Sequence, residues 1–515
     1  MNRPVRKTAL SLLACLLVAV VSLLQDSLNR DRDALGLTRV EPLENAPPVL
    51  AFTTVALGGF RGLISNILWI RAMDLQDNDR YFEMTQLADW ITKLEPHYTQ
   101  VWLVQAWNMA YNISVKFTDF SDRWRWVRSG IELLRDEGLR YNPNELLMYR
   151  ELAWFFQHKM GANLDDANMT YKQEWANEMA AVFGKLRTPN LDELIHPEND
   201  EQRARAALLR NTYKMDPEFM KQVNERYGPL EWRLPEAHAI YWAALGLKAA
   251  AENPSKVKAD DLITLRRVIY QSMQTSFQRG RLVANPFAKR FEFGPNLDII
   301  PRTTVAYEQA AGEDAANHDH ILRAYRNFLR DAVYFLYEYN RMSDAAKWYR
   351  YMAAKFPTDH VIDGQPDSLA TKVSLEDYCL SRIQEDVNGT PLDRIKGVIE
   401  GMLVNSYQSL AVDGEEDHAA GYRALARKAR DNYMSRIGEG RLAAISLPPF
   451  DEMDKEVRAR ILDPKSGAPA QIRAILRTRL NLPAETTTTN APAAVPDPAT
   501  PAGTSPTNAP APAKG

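Results

Sequence analysis

The chain reads as all-α: an N-terminal transmembrane helix followed by an irregular α-solenoid of helical hairpins. Apolar residues recur at three- and four-residue steps from Phe60 to about Leu482. Alternating strand patterns are scarce, and prolines close successive helical runs at near-regular intervals. The 515 residues are 45% hydrophobic, enough for a large core, and the net charge of −3 offers no basic field to draw nucleic acid.

Residues 1–25 place Arg3, Arg6 and Lys7 before an uncharged run from Thr8 to Gln25. That pattern fits an uncleaved signal anchor, with the basic end kept in the cytoplasm and the rest delivered outside. Two alternatives stay open: lipidation at Cys15, which ends the lipobox-like "LLAC", and simple cleavage with release. Residues 26–59 form a connector with Pro42, Pro47 and Pro48. The apolar "VLAFTTVALGGFRGLISNILWIRAMDLQ" follows the connector's polar part, interrupted by Arg61 and Arg71. It reads as the first helix of the array rather than a second span, apolar enough to lie on a bilayer surface.

Residues 60–284 carry the helical repeats. "YFEMTQLADWITKL" shows the pattern, with Phe82, Leu87, Trp90, Ile91 and Leu94 at helical steps. Residues 285–319 hold three prolines and mixed polarity, which predicts a long irregular loop. A hairpin follows at 320–357, in which Ala345, Tyr349 and Met352 share a face. Residues 358–482 are helical, either continuing the repeat or forming a separate cap. The Pro/Ala/Thr-rich tail at 483–515 has almost nothing apolar to bury and is expected to be extended and disordered. Cys379 reads as a small buried apolar residue.

Pro96, Pro143 and Pro189 lie about 46 to 47 residues apart, each after a helical run. A proline there ends one helix and begins the next from a fixed dihedral angle. A large aromatic follows at Trp102 and at Tyr149, filling the space between stacked hairpins.

On these residues the chain resembles the tetratricopeptide-repeat superfamily. "WAALG", Trp242 to Gly246, matches that family's Trp-x-x-Leu-Gly signature. "LRDAVYFLYEYNRMSDAAKWYRYMAAKFP" follows its Ala, Tyr, Ala and terminal Pro spacing, and "ELAWFFQHKMG" with "DDANMTYKQEWANEMAAVFGKLRTP" is a looser copy. Insertions such as "SVKFTDFSDRWRW" lengthen the repeat, which implies a distorted array. "GPLEWRLPEAHAIYWA" and "LADWITKLEP" are similar to stretches of uncharacterised exported bacterial proteins.

The resemblance implies a concave groove, lined by the first helix of each pair, that takes an extended peptide or a partner's helix. Carried over by spacing, its lining is Trp69, Met73 and Gln76, then Trp107 and Tyr111, then Arg150, Trp154, Gln157 and His158. Asn327, Arg330, Tyr334 and Tyr337 fill the same role in the later unit. "SDRWRWVRSG" adds an inserted contact patch at Trp124 and Trp126. Glu231, Arg233, Glu236 and His238 concentrate in "EWRLPEAHAIYW", but Glu236 and His238, two apart, face different sides of a helix and read as structural. His318 and His320, with Asp319 between them, form a His-x-His at a loop-to-helix boundary with no further cluster, so no metal and no cofactor is expected. No Walker loop, His-Glu-x-x-His or nucleophile elbow occurs.

The function expected is a non-enzymatic scaffold or adaptor in the bacterial inner membrane. It would cross once, face the periplasm and bind envelope proteins or extended peptide segments. The alternatives are an exported enzyme acting on cell-wall glycan or peptide, and an accessory subunit of a transport or secretion complex.

Overall fold

The computed structural model describes residues 61–184, 189–254, 257–285, 290–339, 341–385, 392–436, 447–464 and 468–483, with isolated positions before residue 32. Apart from those positions and residue 483, the expected anchor, connector and tail lie outside the described residues. Within the described residues the protein is predominantly helical, and no helix is long and apolar enough to cross a membrane.

Neighbours in sequence are mostly neighbours in space. Helix α1 (Arg61–Asp77) packs on α2 (Tyr81–Leu94), α2 on α3 (Thr99–Trp107), and α3 on α4 (Phe120–Glu132) and α5 (Leu146–Trp154). Helices α3, α4 and α5 run on through wide π-helical turns at Asn108–Ile113, Leu133–Gly138 and Phe155–Gly161. The chain then makes an excursion through α6 (Asn168–Phe183), a short α7 (Asp192–Ile195), α8 (Asp200–Asn211) and α9 (Pro217–Tyr227). Helix α10 (Pro235–Glu252) returns to pack on α5 and then on α11 (Ala259–Arg279). The order resumes with α12 (Ile300–Glu313), α13 (His318–Glu338) and α14 (Met342–Lys355), each on its predecessor.

Beyond these, α15 (Leu375–Glu385) packs on α13 and α14, and α16 (Leu392–Gln408) on α17 (Glu416–Arg436) and α18 (Phe450–Leu462). Helix α19 (Ala470–Arg479) closes against the turn that follows α16. One apolar cluster runs from Trp102 to Leu476, and two small ones join α1 to α2 and α3.

The proline punctuation has a visible mechanism. Glu95, Asn142, Asn253 and Phe356 each precede a proline and end a helix, with φ between −132° and −128° and ψ between 58° and 70°. The pyrrolidine ring crowds the preceding residue out of the α region, so the helix stops there. The aromatic six residues on then seals the junction. Trp102 Nε1 donates to the Pro96 carbonyl at 2.8 Å, and the Tyr149 hydroxyl donates to the Pro143 carbonyl at 2.9 Å. The Pro96 carbonyl also accepts from Asn142 Nδ2 of the next junction at 2.9 Å, and Asn253 Nδ2 donates to Asn144 Oδ1 at 2.9 Å. Three junctions are thus hydrogen-bonded side by side.

Pro189 does not belong to this series. Helix α6 ends earlier, at Gly184, whose φ of 73° and ψ of −159° suit only glycine. The expected loop at 285–319 is also different. It contains strand β2 (Arg290–Gly294), paired antiparallel with β1 (Arg281–Asn285), and then α12. Pro301 stands in the first turn of α12, where the missing N–H costs no hydrogen bond, so it opens a helix instead of breaking one.

The "WAALG" glycine has a packing reason. A Cβ at Gly246 would lie 2.8 Å from Tyr149 Cβ of α5 and 3.1 Å from a Leu265 methyl of α11. Its absence lets α10 sit tightly between them.

Candidate functional site

The π-helical turns bring two aromatic pairs from successive hairpins into one row. Trp107 stacks on Tyr111 with centroids 4.0 Å apart and rings 14° from parallel. Trp154 stacks on His158 at 4.6 Å and 10°. The Tyr111 hydroxyl and His158 Nδ1, separated by 47 residues in sequence, meet at 3.1 Å and join the pairs. With the hydroxyl donating, Nδ1 must be bare and the imidazole neutral. Burial and the Lys159 ammonium do hold the His158 pKa below its usual range. Trp107 is 39% exposed and the other three rings are half-buried, so the row opens to solvent. Arg150 extends it, with its guanidinium 5.9 Å from the Trp154 ring centroid and 3.0 Å from Glu151.

Beside the row lies a cleft of about 440 Å³ lined by Tyr111, Val115, Arg123, His158, Lys159, Leu164, Asp165 and Asp166. Lys159, buried, donates to Asp165 Oδ2 at 2.7 Å and lies 4.9 Å from the Tyr111 ring centroid. Arg123 donates through Nε to the Phe117 carbonyl at 2.7 Å and reaches Asp165 Oδ1 at 3.5 Å. Burial alone would raise the Asp165 pKa. The Lys159 ammonium, the Ala167 N–H and Arg123 outweigh it, so the carboxyl stays below its usual range and ionised. A carboxylate held this way is a fixed anchor, not a proton donor.

The loop carrying Asp165 is also gripped from beneath. Lys172 donates to Asn163 Oδ1 at 3.0 Å and Asn168 Oδ1 at 2.9 Å, and Arg279 donates to the Gly161 carbonyl. Burial, with Arg279 nearby, pulls the Lys172 ammonium down to about 8. Four cations, Arg123, Lys159, Lys172 and Arg279, therefore hold one short loop against the helices.

The structure sorts the expected groove residues. Trp107, Tyr111, Trp154, His158 and Arg150 come together on one face. Gln157 turns away and donates to the Val268 carbonyl and Ser272 Oγ of α11, both at 3.2 Å. Trp69 packs toward Ala88, Ile91 and Val101, with Tyr98 at 6.0 Å, while Met73 and Gln76 are half-buried on α1. In the later unit Asn327 is exposed, but Arg330, Tyr334 and Tyr337 are buried. Helix α15 and the loop before it cover that face, where the Tyr378 hydroxyl donates to the Arg330 carbonyl at 2.9 Å and Arg330 donates to Asp363 at 3.1 Å.

The inserted patch also needs correction. Trp124 is buried against Tyr171 and Trp175, while Trp126 is half-buried beside Phe117 and Phe82. Glu236 and His238 are both buried. Glu236 faces Arg279 at 3.6 Å, and His238 packs among Phe156, Trp175 and Trp232. Among the described residues no group of three metal-ligating side chains occurs. Sequence reading missed Arg123, Lys159 and Asp165, because no spacing marks a loop whose partners come from four separate elements.

Comparison with protein-family models, with curated proteins and with solved structures finds no match.

Proposed function

We propose that the protein is a membrane-tethered, tetratricopeptide-like adaptor of the bacterial envelope. Its task is to present a preformed aromatic face to an extended segment of another envelope protein. The single observation that carries this reading is the four-ring row Trp107–Tyr111–His158–Trp154, fixed across two hairpins by the Tyr111–His158 hydrogen bond. Rings already locked together lose little side-chain freedom when a ligand settles on them, so their apolar faces serve as anchors. Arg150 at one end offers a planar fork for a carboxylate or a backbone carbonyl. The cleft at Lys159 and Asp165 gives an adjoining polar recess.

A photo-crosslinking residue placed at Trp107 or Trp154, in the full chain and in native membranes, gives discrete adducts with an envelope protein. Gln86, exposed on α2, gives none. When the crosslinker is moved to Val115 in the cleft, the double variant Trp107→Ala/Trp154→Ala lowers adduct yield about tenfold. Equal labelling at Gln86 and at the ring row would sink the reading.

A further inference from the structure

Helix α1 carries an apolar stripe that no described residue covers. Leu63 is 55% exposed, Ile67 58% and Ile70 69%. Spaced by four and then three residues, they line one side of the helix, opposite the face that packs through Ala72 and Leu75. Three bulky aliphatic side chains left in water on one helical stripe mark a contact surface. The stripe also has a direction. It occupies the N-terminal half of α1 and ends where Arg71, Asp74 and Asp77 are exposed, with Arg71 paired to Asp74.

Three observations bear on the kind of surface it suits. The chain that leads into α1, "APPVLAFTTVALGGF" at residues 46–60, carries no charge, so the apolar character increases toward the end where the stripe begins. The stripe itself holds only aliphatic carbon, with Asn66 at its margin and no hydrogen-bonding group to give a protein partner its register. Trp69 and Tyr98 stand at the flank, centroids 6.0 Å apart, and Tyr98 is 38% exposed. Paired amphipathic rings beside an apolar face suit the depth of lipid headgroups.

We propose that the N-terminal half of α1 lies in the headgroup–acyl boundary of a lipid bilayer, stripe inward and tilted so that Asp74 and Asp77 clear the surface. This is a second membrane contact, and it rests on the reading of residues 1–25 as an anchor. It orients the helical body, because a helix lying in the interface removes the free rotation that a single spanning helix permits. The aromatic row would then face a fixed direction relative to the membrane.

The test uses the full chain with Cys15→Ala and single cysteines Ile67→Cys, Ile70→Cys or, as the aqueous control, Gln86→Cys. Buried Cys379 stays unlabelled in the folded protein. Each variant receives an environment-sensitive fluorophore and is reconstituted into phosphatidylethanolamine–phosphatidylglycerol vesicles with brominated acyl chains. Quenching at 67 and 70 exceeds that at 86 by about threefold, with emission shifted to the blue. Equal quenching at all three positions in a chain that floats with the vesicles overturns the inference and leaves the anchor standing. Protection of 67 and 70 from aqueous iodide without bromolipid quenching also overturns it, because a protein then covers the stripe. A chain that does not float removes the anchor and the inference together.

Discussion

Two helices that open hairpins, α5 and α13, carry much the same side chains on the expected groove side, yet one faces water and the other does not. On α5, Arg150, Trp154 and His158 meet Trp107 and Tyr111 in a row open to solvent. On α13, Arg330, Tyr334 and Tyr337 are sealed beneath α15, with Arg382 lying 5.8 Å from the Tyr334 centroid and donating to Asp331 at 2.8 Å. The difference is made by chain that arrives later. After α5 the excursion through α6 to α9 leaves the ring row open to solvent, whereas after α14 the chain turns back over α13. The same sequence pattern is therefore a surface in one hairpin and a core in another.

The largest expected effect tests that contrast. Tyr334→Ala removes a buried ring and lowers stability by about 3–5 kcal/mol in denaturant unfolding. Trp107→Ala removes a larger ring from the exposed row and costs under about 1 kcal/mol. Similar losses at both positions would erase the distinction between the two faces.

The next test compares two histidines. His238, wholly buried, is pushed down to about 4, first by burial and further by Arg135, against the opposing hydrogen bond to the Trp232 carbonyl. The unfolded chain binds that proton near pH 6.5, while the folded chain refuses it until about pH 4. Stability is therefore lost as pH falls through this window, by up to roughly 3 kcal/mol. His238→Gln flattens that part of a stability–pH curve. His158, half-buried and lowered in the same direction, contributes a smaller slope of the same sign.

Close approach gives the third. Gly246→Ala forces a methyl against Tyr149 and Leu265 and costs about 1–3 kcal/mol. Gly312→Ala in α12, where a Cβ meets nothing within 4 Å, is neutral or gains up to about 1 kcal/mol. The smallest effect sharpens the row itself. Tyr111→Phe keeps the stack on Trp107 and loses the bond to His158, lowering stability by about 1 kcal/mol or less. His158 then titrates nearer its ordinary range, a shift that NMR of the ring protons reads.

What the sequence displayed was local. Helical periodicity and the stops before Pro96, Pro143 and Pro357 follow from neighbours in the chain, because a proline acts on the residue before it. The pairing of Trp107 with Tyr111 and of Trp154 with His158 was legible for the same reason, since residues four apart meet on a helix. Pro301 misled because a proline in a first helical turn and a proline in a loop look alike without a boundary to place them. Tyr334, Tyr337 and Trp124 misled because exposure depends on which distant segment folds back. The cation-held loop at Asp165 was invisible, being assembled from α4, the turn after α5, α6 and α11.

The double use of the Pro96 carbonyl, by its own hairpin's Trp102 and the next junction's Asn142, gives the molecule a spine bound through its backbone, as in a book, with a fore-edge opposite. Along the spine the spacing is set by hydrogen-bond lengths, and an inserted residue would shift every leaf beyond it. The fore-edge turns 114–119 and 161–167 are held instead by side chains, through Arg123, Lys159, Lys172 and Arg279, and the cleft beside the rings opens there. The cleft can therefore be reshaped through the side chains that hold those turns while the hydrogen-bonded junctions of the spine stay as they are.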